Sequence, residues 1–349
     1  MNKESRYKVS VIVPTFNAEK HIKRAINSVI NQTIGFENIE LILIDDKSTD
    51  DTKEILQNFS KQYNNIKLIY LKENTGTPSK PRNIAIKNSN TDYIMFLDQD
   101  DEYTPEMCEK MYSTVIKDNL DLVICRYNII TSNNTVICDT PIFKELKNIS
   151  TMKTSLLSFM YRAFPISWTS IFKKSLIVKN NIHFPDYLFA EDIYFNLHYY
   201  LKTRKLKFLF DFIGYNYYLH DTNNRNSFIY EDSEKNRENL VKLYKSYLSM
   251  LTFVNSHSNI PYPDKKSLKN AIILPLTTLF LRNKMNNECT DKYLGGLEPY
   301  LKEYDLFTRI PYFNIVKNIV LNIIIKTALL NKSIIKAIKK ILWILKVHI

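Results

Sequence analysis

Short apolar runs alternate with amphipathic stretches over about the first hundred residues. Val9-Ser10-Val11-Ile12-Val13-Pro14 is apolar, β-branched and closed by proline, which predicts a buried strand. Between Glu19 and Gln32, residues Ile22, Ala25, Ile26, Val29 and Ile30 recur at helical spacing. Ile39 to Ile44 predicts a second strand ending in Asp45-Asp46, and Ser48-Thr49-Asp50-Asp51 then opens a helix with its own cap. Ile66 to Tyr70 and Tyr93 to Leu97 predict two more strands. This alternation implies an α/β fold with a mostly parallel sheet wrapped by helices. Ligands are then expected where Pro14, Asp46 and Asp98 leave the strand ends.

After Asp101 the rhythm changes. A helix is predicted over Glu106 to Lys117 and a strand over Asp121 to Cys125. A polar turn at Thr131 to Asn134 predicts a hairpin, with Thr135 to Cys138 returning. Trp168 to Phe172 and Phe184-Pro185 lead to Glu191-Asp192 and a helix, and Phe208 to Tyr218 is the last strand-like piece. From Glu231 onward the pattern is helical. The expected division is an α/β domain over 1–230, with halves 8–104 and 105–230, followed by a helical region over 231–349.

Composition narrows the chemistry by exclusion. The 349 residues are 45% hydrophobic and 24% charged, as in a folded chain of about two domains. There are five glycines and no G-x-G-x-x-G or P-loop pattern, which supports neither a dinucleotide fold nor an ATPase. The four cysteines lack C-x-x-C spacing and read as reduced thiols rather than a disulfide frame or zinc site. The first residues show no apolar stretch of the secretion-signal kind.

The net charge is +12, and Arg309 to Ile349 alone holds eight Lys/Arg with no Asp or Glu. Isoleucine pairs in that tail recur at helical spacing, but its apolar stretches fall well short of the ~20 residues a spanning helix needs. The expectation is one or two basic amphipathic helices on an anionic inner leaflet, and hence a cytoplasmic protein held peripherally at the cell membrane. Packing on the α/β domain and self-association into a homo-oligomer are the competing accounts of the tail.

The apolar run Tyr93 to Leu97 ends abruptly in Asp98-Gln99-Asp100-Asp101. Three acids at a strand end repel one another unless a cation or a hydrogen-bond net offsets the charge. A divalent metal held against a phosphorylated substrate fits this pattern. Asp100 or Asp101 could instead cap the helix that starts near Thr104-Pro105.

These pieces form an ordered set. It runs from Val9 to Asn17, through Ser28 to Thr33, Leu43 to Thr52, Asn74-Thr75-Gly76 and Pro81-Arg82-Asn83. It continues through Phe96 to Asp101 and Phe184-Pro185 to Ala190-Glu191-Asp192-Ile193. In order and spacing the set resembles the family 2 inverting glycosyltransferases of GT-A fold, over residues 8 to about 220. The version at Thr77 to Asn83 is similar to the bacterial branch that builds wall teichoic acid, capsule and other surface glycans.

The resemblance implies a UDP-sugar donor and Mn²⁺ or Mg²⁺ as cofactor. The acceptor would be a glycan, a polyol-phosphate polymer or a lipid-linked precursor. Pro14, Thr15 and Phe16 would offer backbone groups and an aromatic face to the nucleobase. Asp46 would accept from uracil or ribose, and Arg82 would make a bidentate contact with phosphate or sugar. Asp98 would sit toward the ribose and Asp100 on the metal. Asp192 would be the general base and Glu191 would hold the donor sugar or acceptor. Asp101 is left as a neighbour or cap. In the Tyr215 to Ser227 segment, His220 or Arg225 could meet the pyrophosphate and His220 could complete the metal shell, although an exposed polar loop explains the same residues.

A nucleotidyltransferase acting on sugar phosphates is the rival enzyme, but it would carry a Gly-rich loop after the first strand, where this chain has Pro14-Thr15-Phe16-Asn17. A nucleic-acid-binding or membrane-scaffold protein is the non-enzymatic rival. No nucleic acid is expected, because the charge collects in the tail rather than along a groove.

Overall fold

The computed structural model describes residues 6–131, 136–138, 167–186, 191–219, 234–258, 265 and 269. It divides the chain into two compact units, Met1–Met152 with Ala163–Asn226, and Lys153–Arg162 with Ser227–Ile349. The basic tail, His220 and Arg225 lie outside the described residues. Among those described, no helix is long and apolar enough to cross a membrane.

The first unit opens with β1 (Val9–Thr15), α1 (Ile22–Ile30), β2 (Ile39–Asp45), α2 (Thr52–Gln62) and β3 (Ile66–Tyr70). It continues with α3 (Ser79–Asn88), β4 (Tyr93–Phe96), β5 (Glu102–Tyr103), α4 (Met107–Lys117), β6 (Leu122–Ile130) and β7 (Val136–Cys138). The remaining elements are β8 (Ser170–Lys173), α5 (Lys174–Lys179), α6 (Glu191–Lys202) and β9 (Leu206–Tyr218). The described part of the second unit is chiefly α7 (Glu234–Ser256), which buries Tyr247, Met250, Leu251 and Val254.

One sheet runs β3-β2-β1-β4-β8-β6-β9-β5, with β7 attached to β6. Its first four strands are parallel, as the apolar runs predict. Every residue of β1 and β2 is buried, because helices cover both faces of a parallel sheet. Beyond β4 the sheet is mixed: β8 is antiparallel to β4 and β6, while β9 is parallel to β6. The predicted hairpin is present as the antiparallel β6–β7 pair.

Helix α3 is not visible in the hydrophobic pattern. Pro81 interrupts it, but it stands in the first turn, where no backbone N–H has an intrahelical partner. Gly214 sits at the irregular part of β9, where an added Cβ would lie 2.2 Å from Met107 Sδ and 2.8 Å from Cys125 Sγ. Its missing side chain lets β9 pass close to α4. Trp168 is a core residue, stacked on Tyr215 at 4.0 Å between ring centroids and only 6% exposed.

Candidate active site

The C-terminal ends of β1, β2 and β4 lie side by side, and the loops leaving them are tied together. Asn17 takes φ +47°, which brings its Oδ1 to the Thr49 N–H at 2.9 Å while its own N–H donates to Ser48 Oγ at 2.9 Å. Asp45 accepts from the Ser48 N–H and hydroxyl, the turn chemistry its spacing suggests.

Pro14, Thr15, Phe16 and Asp46 all lie at this corner. Pro14 and Thr15 are buried within β1, and Thr15 donates its hydroxyl to the Ile44 carbonyl at 3.1 Å while its own carbonyl accepts from the Asp46 N–H at 2.8 Å. The Phe16 N–H and carbonyl both pair with the side-chain amide of Gln99, at 2.7 and 3.1 Å. Backbone polar groups here are therefore satisfied within the protein, as buried main chain demands. The Phe16 side chain is 41% exposed. Asp46 is 4% exposed; both carboxylate oxygens accept from the Thr75 N–H at 3.0 Å, and Oδ2 also takes the Thr75 hydroxyl at 2.9 Å. It ties the end of β2 to the turn at Asn74-Thr75-Gly76.

Arg82 is the centre of the site. It donates through Nη2 to Asp98 Oδ1 at 2.7 Å and through Nη1 to Glu191 Oε1 at 3.1 Å. It is 4% exposed, and its guanidinium lies 5.2 Å from the Phe184 ring centroid. Burial alone would lower its pKa, but the carboxylates of Asp98, Glu191 and Asp192 outweigh burial and raise it, so the charge stays. The next residue, Asn83, clamps the Phe184 main chain at both groups, at 2.7 and 2.9 Å. One turn of α3 thus binds the segment before α6 as well as its first residue.

Glu191 and Asp192 open α6, where negative charge suits the helix N-terminus. Burial and then the adjacent Asp192 push the Glu191 carboxyl up to about 7, against the lowering effect of Arg82. Asp192 is half-buried and accepts from the Ile193 N–H at 2.8 Å.

The acid turn does not act as a cap. Helix α4 starts only at Met107, after Glu106, and has no side-chain cap bond. Asp101 is instead buried, accepting from the Tyr215 hydroxyl at 2.7 Å and the Tyr218 N–H at 2.8 Å. Burial, followed by the charges of Asp98 and Asp100, raises it to about 8. The acids of the turn offer carboxylate oxygens, so the residues fit a hard divalent cation at Asp100. Among the described residues no three His, Cys, Asp or Glu side chains converge as a ready metal cage.

Gln99, Asn83, Asp101 and Arg24 are the structurally decisive residues that motif reading left without a role. Arg24 stacks on the Tyr218 ring at 3.5 Å and donates to the Asp100 carbonyl. The only sequence signal for Gln99 and Asn83 was an amide side chain inside a motif, the type that can mimic a main-chain pair.

The fold is of the GT-A kind, and residues 10–176 match the Glycosyl transferase family 2 model. Among curated relatives, a poly(ribitol-phosphate) beta-glucosyltransferase of Bacillus spizizenii is 32% identical over 212 residues, 60% of this chain and 32% of that protein. The poly(ribitol-phosphate) beta-N-acetylglucosaminyltransferase TarP of Staphylococcus aureus is 35% identical over 214 residues, 61% of this chain and 62% of that one. The chain spans about a third of the length of the first of these relatives. Its fold matches S. aureus TarS crystallised with UDP-GlcNAc at a TM-score of 0.65 and 21% identity, covering 86% of this chain and 82% of that one.

Proposed function

We propose that this chain is a metal-dependent, inverting glycosyltransferase that moves a sugar from a UDP-sugar to a hydroxyl of a cell-surface glycan, with polyol-phosphate polymers the favoured acceptor class. One observation carries the reading: a single buried guanidinium joins the acid turn after β4 to the Glu191-Asp192 start of α6. Donor-binding acids and a candidate base thereby flank one point, as a single displacement requires. The names of the relatives support the acceptor class.

In this reading the Phe16 ring stacks on the nucleobase and Asp98 lies toward the ribose. Asp192 takes the proton of the acceptor hydroxyl as its oxygen forms a bond to the sugar C1. The C1–O bond to UDP breaks on the opposite face, and the diphosphate leaves with the electron pair. Glu191 hydrogen-bonds donor sugar or acceptor, and Arg82 keeps Glu191 and Asp98 in register. Mn²⁺ or Mg²⁺, held by Asp100, would neutralise the charge that develops on the diphosphate.

A UDP-sugar panel with and without Mn²⁺ tests this directly, comparing wild type with Asp100→Asn. Transfer requires the metal and is lost in Asp100→Asn, and metal-dependent UDP binding weakens with it. Full transfer in a chelator would remove the role given to the acid turn. For the nucleobase contact, Phe16→Ala is expected to weaken UDP binding by roughly tenfold, since base stacking is worth ~1–3 kcal/mol. An unchanged calorimetric affinity would exclude that stacking.

A further inference from the structure

Asp101 is 1% exposed, so substrate does not reach it, yet it accepts from two donors of one strand end. The Tyr215 hydroxyl is a relay. It donates to Asp101 Oδ2 at 2.7 Å and accepts from the Asp98 N–H at 3.3 Å. The Asp101 N–H closes the turn on the Asp98 carbonyl at 3.2 Å. Next in the chain, Glu102 and Tyr103 pair antiparallel with Asn216 and Tyr215. Glu102 also accepts from the Tyr218 hydroxyl at 2.9 Å, and Arg24 covers the Tyr218 ring while donating to the Asp100 carbonyl. The main chain on both sides of Asp100 is thus held by one strand end more than a hundred residues away, with Arg24 bracing it from α1.

We infer that Asp101 is a positioning residue of the donor site: through the Tyr215 hydroxyl and the Tyr218 amide it fixes the main chain of 98–100, and so the direction in which the Asp100 carboxylate faces. The inference rests on the transferase reading and on a cation at Asp100. An acid turn whose like charges repel would otherwise relax outward, and three bonds from β9 oppose that. The cost of those bonds is a buried carboxylate, which a purely apolar core at the same place would avoid. A site that must keep its ligand within a fraction of an ångström gains from such support.

The test is calorimetric titration of UDP with and without Mn²⁺ on wild type, Asp101→Asn, Tyr215→Phe and Tyr199→Phe. Tyr199 is the control for stability alone: its buried hydroxyl donates to the Asp121 carbonyl and accepts from the Lys173 N–H, away from the acid turn. In Tyr215→Phe and Asp101→Asn the gain in UDP affinity from Mn²⁺ is expected to fall about tenfold, the worth of one hydrogen bond to a charged group. Metal-free UDP affinity should fall by less than the Mn²⁺ gain does, because only part of the donor contact runs through residues 98–100. Tyr199→Phe should lose stability to urea but keep the full Mn²⁺ gain. Equal Mn²⁺ gains in all four proteins would overturn the role of Asp101 alone. A wild type that binds UDP without responding to Mn²⁺ would overturn the metal reading, and this role with it. Should Asp101→Asn fail to fold, Tyr215→Phe, which deletes one oxygen, carries the comparison.

Discussion

Asp192→Asn is expected to reduce transfer by about 10²–10⁴-fold, the usual contribution of a positioned general base. The substitution keeps the shape of the side chain and removes its ability to take a proton. Loss should fall on kcat, with UDP affinity close to wild type, because proton transfer occurs only in the transition state. A helix-terminal role predicts something quite different. An acid in the first turn of α6 is worth ~0.3–1 kcal/mol of stability and nothing in turnover. Comparing single-turnover rates with urea midpoints separates the two, since a rate within threefold of wild type would remove the base assignment. The substitution has a second consequence next door. Asp192 is, after burial, the largest influence holding Glu191 up at about 7, so Glu191 should titrate lower in the variant. A ¹³C carboxyl titration of Glu191 reads that shift independently of activity.

Strand positions were legible because each is a short apolar run, and every run from Val9 to Leu97 lies in or beside a parallel strand. Helix α3 was hidden by Pro81, whose propensity argues against a helix interior but not against a first turn. The mixed half of the sheet was hidden for another reason. An apolar run such as Ser170–Lys173 does not encode its own direction.

The site shows the same limit at the scale of single side chains. An aspartate at a strand end reads identically whether it faces ligand or a neighbouring loop. Asp46 faces Thr75, 29 positions away, and Asp101 faces Tyr215, 114 positions away. Local spacing supports a cap for Asp101 and a ligand for Asp46. Both acids pair with residues far along the chain, and neither partner lies in the motif that drew attention to the acid. Arg82 belongs to this class too, since its carboxylate partners come from β4 and from α6, 109 positions on.

Arg82→Met should be the most destabilising single change in the described site, at ~3–5 kcal/mol, the usual cost of removing one partner of a buried ionic group. With 5% of the Arg82 side chain exposed, solvent screening gives little relief. Asp98 and Glu191, at 22% and 14%, would be left facing each other without a counter-charge. The deficit should depend on pH with a definite sign. Burial and Asp192 already hold the Glu191 pKa above its unfolded value, at about 7 with Arg82 present, and loss of Arg82 pushes it further up. An acid whose folded pKa is raised favours folding while protonated and loses that advantage as pH rises from its unfolded value to its folded one. The variant is therefore expected to be closest to wild type near pH 5, where Glu191 is neutral, and furthest from it near pH 8. Urea midpoints at the two pH values measure this, and a deficit that shrinks at pH 8 would contradict the ion-pair account. The triple variant Arg82→Met, Asp98→Asn, Glu191→Gln gives the complementary result. Replacing all three charges with neutral groups of similar size should recover more than half of the loss, because the penalty lies in the stranded carboxylates rather than in the missing attraction. That triple variant should fold and yet bind UDP-sugar poorly. The network would then be retained for the chemistry it aligns, at no net gain in stability.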